Sequence, residues 1–413
     1  MRYIPLHILQ EELPHMPSPV SLGRQILRTN PNSGNTQLIL TTRANLDKKY
    51  ITLLHSLNID QICINDPLTD DIEIDDLVDA DSFEQFQYHF DKLRASLYKL
   101  YIEIREKALD QQIFNSRYRT SVHTHIYTRP SFTKLYHLIN DFLELFQKRF
   151  RFAKIPQPPY YVSQTTYIHY HAILCAHLAG KYLLEAGEPL ERARNIFVGA
   201  LLQDIGIMPD YYTKEHITQA EEKNFRAHPR LALMIINEST ALNPLMGITS
   251  LHHHRYKNHS GFPRATKIKQ LYDYKEGVHI NGRIASVVNA YAAMSLFYEP
   301  TKVIDAISNV FSNFLFDSEL APLLGNTVEP YVPGTMVSLI SGEKCMVKSI
   351  KDGARLLLRV IRDVNGNRLK EKKDVYVWLN EGRIEGFWPQ DKKLQQRLKP
   401  HYPSIMQSYL TYN

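Results

Sequence analysis

The chain is poor in several features that would assign it quickly to a class. It has three cysteines in 413 residues: Cys63, Cys175 and Cys345, far apart, each in an apolar segment and with no CxxC pair. That spacing excludes a disulfide framework and reads as buried free thiols in a reducing compartment. Long hydrophobic runs are also missing. The best candidate, residues 284–297, is shorter than the roughly 18 apolar residues of a membrane span and is interrupted by Asn289. The opening residues, Met1 to His7, lack the apolar stretch of a secretory signal, so the expectation is a cytoplasmic protein without a membrane span. Charge of one sign is not concentrated either. The net charge of +6 is spread along the chain, whereas a nucleic-acid binder gathers its charge into a stripe. A nucleic-acid polymer is therefore not expected as a partner. Internal repeats and low-complexity tracts are absent. What is present is ordinary for a globular protein, with 44% hydrophobic and 22% charged residues. The core-forming residues are numerous enough that folding needs no disulfide or metal.

The chain divides into five parts. Residues 1–75 read as a small α+β domain, with strands at 20–27, 36–40 and 61–64 and a helix near 46–57. An acidic stretch (Asp70, Asp71, Glu73, Asp75, Asp76) reads as a solvated linker at its boundary. Residues 76–160 form a helical connector. In its long helix, 83–112, Phe86, Phe90, Leu93, Leu97, Leu100 and Ile104 recur in alternating steps of four and three. This is an a/d seam that either packs within the chain or joins a homodimer. Residues 161–315 read as consecutive helices, at about 164–186, 190–205, 228–238, 243–254 and 280–298. Residues 316–390 change to short strands and form a C-terminal β subdomain, with turns at Gly342, Gly353 and Asn365-Gly366. The tail, 391–413, is polar and carries no signal. The fold class is mainly α, a helical bundle core with a small N-terminal α+β domain and a C-terminal β subdomain.

The chemistry concentrates around His253-His254-Arg255-Tyr256-Lys257, followed by Gly261-Phe262-Pro263. Neutral imidazoles are good metal ligands, and the Gly-Phe-Pro ends a helix and shapes a loop beside them. Arg255, Lys257, Arg264, Lys267 and Lys269 surround the pair. A metal pocket rimmed with positive charge suits a phosphate ester. His171, Asp204, His228, His253 and His254 lie at or near helix ends, and antiparallel helices can gather such positions. Asp204 follows an apolar helix beside Gly206, and a carboxylate buried there needs a cation or strong donors. Three imidazoles and a carboxylate make a plausible site for one zinc, iron or manganese ion. Each piece also has a plainer reading. Helical histidines are more often hydrogen-bonded core or surface residues, the class to which His169, His177 and His252 are assigned. His228-Pro229 also reads as a helix start. Asp204 also reads as a cap or an arginine partner. His253 and His254 lie about 100° apart on a helix and share a target only near its end.

The order of these residues resembles the HD-GYP family of cyclic-di-GMP phosphodiesterases, a branch of the HD superfamily of metal-dependent phosphohydrolases. The family pattern runs His, then His-Asp-x-Gly-Lys, His-Pro, His-His-Glu-x-x-Asp-Gly-x-Gly-Tyr-Pro and a late Asp. In this chain the first histidine matches His171, and the His-Asp pair becomes Gln203-Asp204 with Ile205-Gly206 following. The family's lysine is replaced by Ile207. His228-Pro229 matches the next histidine, His253-His254 match the pair, and Gly261-Phe262-Pro263 stands for Gly-Tyr-Pro. The expected glutamate, aspartate and glycine are Arg255, Asn258 and His259. The helix from Gly282-Arg283-Ile284 to Asn289-Ala290-Tyr291 is similar to the family's closing helix, with Asn289 where the metal-binding aspartate stands. Val332-Pro333-Gly334-Thr335 resembles the start of the β segment that follows.

The resemblance implies an HD-type bundle and a metal-dependent phosphodiesterase or a non-catalytic descendant of one. It implies that one metal site, Asp204, His228, His253 and His254, is intact, with Asp204 central to any catalysis. The other keeps His171 and Asp204 but has neutral amides at Gln203 and Asn289, so about one divalent ion per chain is expected. Arg255, Lys257, Arg264 and Arg283 are the expected phosphate contacts of a cyclic dinucleotide. Non-catalytic sensing of a nucleotide, or scaffolding of partners, is the alternative to hydrolysis.

Overall fold

The computed structural model describes residues 1–413 apart from 18, 31–34, 75, 108–110, 126–129, 152, 159–160, 239–241, 264–276, 353 and 413, and apart from the side chains of 107, 111–114, 123–125, 130 and 131. Arg264, Lys267, Lys269, Asp75 and Gly353 thus lie outside the described residues.

The first unit contains β1 (Arg2–Pro5), α1 (Leu6–Glu12), β2 (Ser21–Leu22), β3 (Ile26–Thr29), β4 (Thr36–Leu40), α2 (Lys48–Ser56) and β5 (Gln61–Asn65). β5 is the centre of an antiparallel sheet, β1-β5-β2, while β3 and β4 form a separate hairpin. Asp47 starts α2 by accepting from the Tyr50 N–H at 2.9 Å, which satisfies one of the helix's free donors.

The connector holds α3 (Ala80–Lys107), α4 (Gln111–His125) and α5 (Pro130–Arg149). The expected helix 83–112 is described as α3 up to Lys107, and residues 108–110 lie outside the described residues; α4, from Gln111, is an addition to the expected elements. The a/d stripe is consumed inside the chain. Phe86, Phe90, Leu93 and Leu97 are buried, and Phe86 packs on Phe142 of α5 with ring centroids 5.7 Å apart. These four positions are thus not available as a dimer seam.

The core bundle is α6 (Tyr167–Glu185), α7 (Leu190–Leu201), α8 (Gln219–Asn237), α9 (Pro244–His252) and α10 (Ile280–Met294). α6 is its axis, since every residue from Tyr167 to Leu183 is buried, the mark of a helix surrounded on all sides. α8 begins nine residues before the expected start. Thr218 and Glu221 form a reciprocal capping box there. Pro229 consequently sits inside the helix rather than in its first turn. Asn243 caps α9 and Pro244 occupies its first position, as a proline with no N–H to satisfy prefers.

After α10 come α11 (Pro300–Asp305) and α12 (Leu324–Thr327), then the β subdomain. Its strands are β8 (Met336–Leu339), β9 (Lys344–Lys351), β10 (Arg355–Arg362), β11 (Asp374–Trp378) and β12 (Ile384–Phe387), in the antiparallel order β11-β10-β9-β8-β12. Ahead of it, the two-residue strands β6 (Ile155–Pro156) and β7 (Val328–Glu329) pair in parallel.

Two expectations are corrected. The acidic stretch is not a solvated linker. Asp71 takes both terminal nitrogens of Arg359 at 3.0 Å and Lys348 at 2.7 Å, and Asp70 pairs with Lys372. These bonds tie the first unit to the β subdomain. Nor is the tail featureless. It folds into α13 (Lys392–Leu398) and α14 (Ser404–Tyr412) and adds Leu394, Leu398, Met406 and Leu410 to the core of the bundle. Among the described residues no helix is long and apolar enough to cross a membrane.

Candidate metal centre

Asp204 lies just past the end of α7, where the chain turns through residues 202–206. Gly206 lets that turn rest directly on α8. A Cβ there would lie 2.8 Å from the His228 carbonyl oxygen and 3.0 Å from the Leu231 Cβ. On the facing helix, Pro229 has no N–H to bond the Phe225 carbonyl four residues back. The His228 Nδ1 takes that carbonyl at 2.6 Å. His253 follows the last residue of α9, and its Nδ1 lies 2.6 Å from the Ser250 carbonyl, in the turn where helix carbonyls lack partners. Each Nδ1 therefore carries its proton and donates it to a carbonyl, leaving each Nε2 with a free lone pair.

Those lone pairs meet. The Nε2 atoms of His228 and His253 are 3.0 Å apart, and Asp204 Oδ1 lies 3.2 Å from the first and 3.4 Å from the second. A ligand atom of His254 completes a group of four within 4.8 Å of one another. Ligands about 2.0–2.1 Å from a first-row ion sit roughly 3.0–3.4 Å from each other, so the spacing fits such an ion. The residues are 0–3% exposed. Burial lowers the His253 and His254 pKa values, and these imidazoles are neutral at pH 7. The result is a carboxylate and acceptor nitrogens facing one another, an arrangement that a cation would satisfy.

His171 is placed differently. Its Nε2 donates to Asn289 Oδ1 at 2.7 Å and stays 3.9 Å from Asp204 Oδ2. The Gln203 amide also donates to Asn289 Oδ1, at 3.3 Å. Asn289 in turn donates to the His253 carbonyl at 3.2 Å. A neutral hydrogen-bonded network thus occupies the region beside the four-residue cluster. His171 belongs to that network.

The roof over the cluster is aromatic. Phe262 stacks on His254 with centroids 4.3 Å apart. Gly261 reaches the necessary turn with φ +87°, and a Cβ there would strike the His254 carbonyl. Phe225 packs on His228 at 4.9 Å. His401 and Tyr402, from the segment read as featureless, complete the roof. Nothing in their local sequence marked them.

The expected phosphate contacts are dispersed. Arg283 pairs with the buried carboxylate of Asp317. Arg255 Nη1 lies 3.4 Å from His252 Nδ1. Lys257 is half-buried, with its N–H bonded to the Leu315 carbonyl. Arg264 lies outside the described residues. Arg226, which the sequence reading passed over, sits 6.0 Å from the centre of the Phe262 ring.

No family model matches this chain, and no curated protein matches it. Among solved structures, it is similar to Bd1817, a HDG"Y"P protein from Bdellovibrio bacteriovorus, at 11% identity and a TM-score of 0.35, over 74% of this chain and 94% of that one.

Proposed function

We propose that the chain is an HD-type, metal-dependent phosphohydrolase-like protein that holds one divalent ion and recognises a phosphate ester of the cyclic-di-GMP class. The observation that carries this reading is the acceptor-only cluster of Asp204, His228 and His253, with 3.0–3.4 Å between ligand atoms. Asp204, His228, His253 and His254 would hold the ion. When bound, a divalent ion supplies Lewis acidity toward a phosphoryl oxygen. Asp204 contributes the negative charge, while the backbone carbonyls of Phe225 and Ser250 fix the imidazoles. Arg255 and Lys257 are the cations of the His-His loop that would contact a phosphate.

A second reading, a non-catalytic nucleotide sensor, is favoured by the neutral network of His171, Gln203 and Asn289. A two-ion clamp stabilises both attacking and leaving oxygens, and amides are poor substitutes for its carboxylate and imidazole. Metal analysis of purified protein, run beside hydrolysis of cyclic-di-GMP, separates the readings. About one ion per chain with slow or no turnover is expected. His253→Ala should lose the ion, and unchanged metal content in that variant removes the proposed centre. Gln203→His combined with Asn289→Asp should raise the stoichiometry toward two.

A further inference from the structure

Residues 391–412 turn back across the bundle. Asp391 accepts from the N–H groups of Lys393 and Leu394 at 3.0 Å and from that of Gln164 at 3.2 Å, which sets α13 beside the start of α6. The link between α13 and α14 then delivers two side chains to the roof of the metal centre. His401 lies 4.0 Å from Phe225 between centroids, and its Nε2 is 2.8 Å from the Tyr211 hydroxyl. Tyr402 lies 5.9 Å from His254 between ring centroids and is itself buried. Phe262 and Phe225 make up the rest of the roof among the described residues. With this segment docked, Asp204 is only 3% exposed.

We propose that residues 391–412 are an autoinhibitory strap that closes the metal centre and lifts to admit its ligand. The proposal rests on the metal reading above. The attachment is of a kind that can open. The two helices have seven and nine residues, too short to hold without the surface beneath them. Arg397 reaches the Lys214 and Glu215 carbonyls, yet its Nε finds no hydrogen-bond partner among the described residues, and neither does His401 Nδ1. Water would satisfy both atoms once the strap lifts. α6, by contrast, is buried along 17 consecutive residues and cannot leave without unfolding the core.

Hydrogen exchange on the unmodified protein reads the opening directly. Amides of 394–398 and 405–412 should exchange about 100-fold faster than those of α6 and α10. Exchange as slow as α10 overturns the strap. A second measurement uses diethyl pyrocarbonate on metal-free protein, with circular dichroism confirming the fold. Leu394→Ala, and the milder Arg397→Ala, should raise modification of His254 about tenfold or more. Wild-type protection in both variants overturns the proposal. If His254 becomes reactive in a protein that never retains zinc or manganese, the segment lifts but the metal reading falls, and the autoinhibitory role is overturned with it. If the ion is retained while strap exchange and His254 protection match the core, the metal reading stands and the strap falls.

Discussion

His228 shows how a single proton decides what a residue can do. Its Nδ1–H is held at 2.6 Å by the Phe225 carbonyl, which is open because Pro229 brings no N–H to it. Pro229→Ala restores that N–H and sets backbone against imidazole for one acceptor. Proline in a helix interior generally costs about 3 kcal/mol relative to alanine, and the bond to His228 offsets part of that here. The variant should therefore melt at the same or a higher temperature, yet bind zinc about ten- to a hundredfold more weakly. Competition against a chromogenic chelator, beside a thermal melt, checks both signs. Unchanged affinity would mean that another contact sets the His228 proton. The thiols are the opposite case, groups whose surroundings remove their chemistry. Burial pushes Cys63 up to about 11, Cys345 up to about 12 and Cys175 well above its ordinary value. A protonated, buried thiol is inert. Ellman's reagent should find no reactive thiol in the native protein and three after denaturation. A stoichiometric native reaction at neutral pH would contradict that burial.

The elements that build the centre depend on close approach, and α8 against the turn after α7 is the approach that bears directly on Asp204. Gly206→Ala puts a methyl group 2.8 Å from the His228 carbonyl, so the turn carrying Asp204 must move outward. An overpacked contact of this kind typically costs about 1–3 kcal/mol. Both the denaturation midpoint and the metal affinity should drop, and a variant with wild-type values would show that the turn has slack. How much of this was legible in the sequence depended on the range of the interaction. The bundle was readable because apolar periodicity is local, and Asp204, His228, His253 and His254 stood out as a candidate cluster because their residue types and order are distinctive. The start of α8 was readable in principle, as Thr218 and Glu221 have capping-box spacing. His228-Pro229, which fits a first turn equally well, drew the reading away. The role of Asp71 was not readable, since its partner Arg359 lies 288 residues on. Nor was the strap: α13 and α14 bury two residues each, Leu394 and Leu398, then Met406 and Leu410, too few for a periodic signal. His171 was readable as a histidine of the site. Its partner Asn289 Oδ1, 118 positions away, was not.

Across the whole molecule the ends are joined through buried charge. Arg2 bonds Asp66 at 2.6 Å and also pairs with Glu12, while Arg362 and Arg368 of the β subdomain reach the same two carboxylates at 2.7 and 2.5 Å. Arg2 and Asp66 are essentially sealed from solvent. Burial alone would raise both carboxyls. Arg2, with Arg362 at Glu12 and Arg368 at Asp66, more than offsets it, so that Glu12 is lowered and Asp66 falls from an ordinary 3.8 to about 2. A carboxyl lowered on folding stabilises the folded state above its unfolded pKa, and that contribution is lost as pH falls through the folded value. For Asp66 the window runs from 3.8 down to about 2, and a shift of that size corresponds to about 2–3 kcal/mol. Urea midpoints should therefore be flat from neutral pH to about 5 with respect to this network, then drop steeply toward pH 2. Asp66→Asn should lose about 3–5 kcal/mol at pH 7, because Arg2 is left with a buried charge short of one partner. It should also lose much of the steepness below pH 4, because the group that titrates there is gone. A mutant profile as steep as wild type over that interval would mean that acid unfolds the protein somewhere other than this junction.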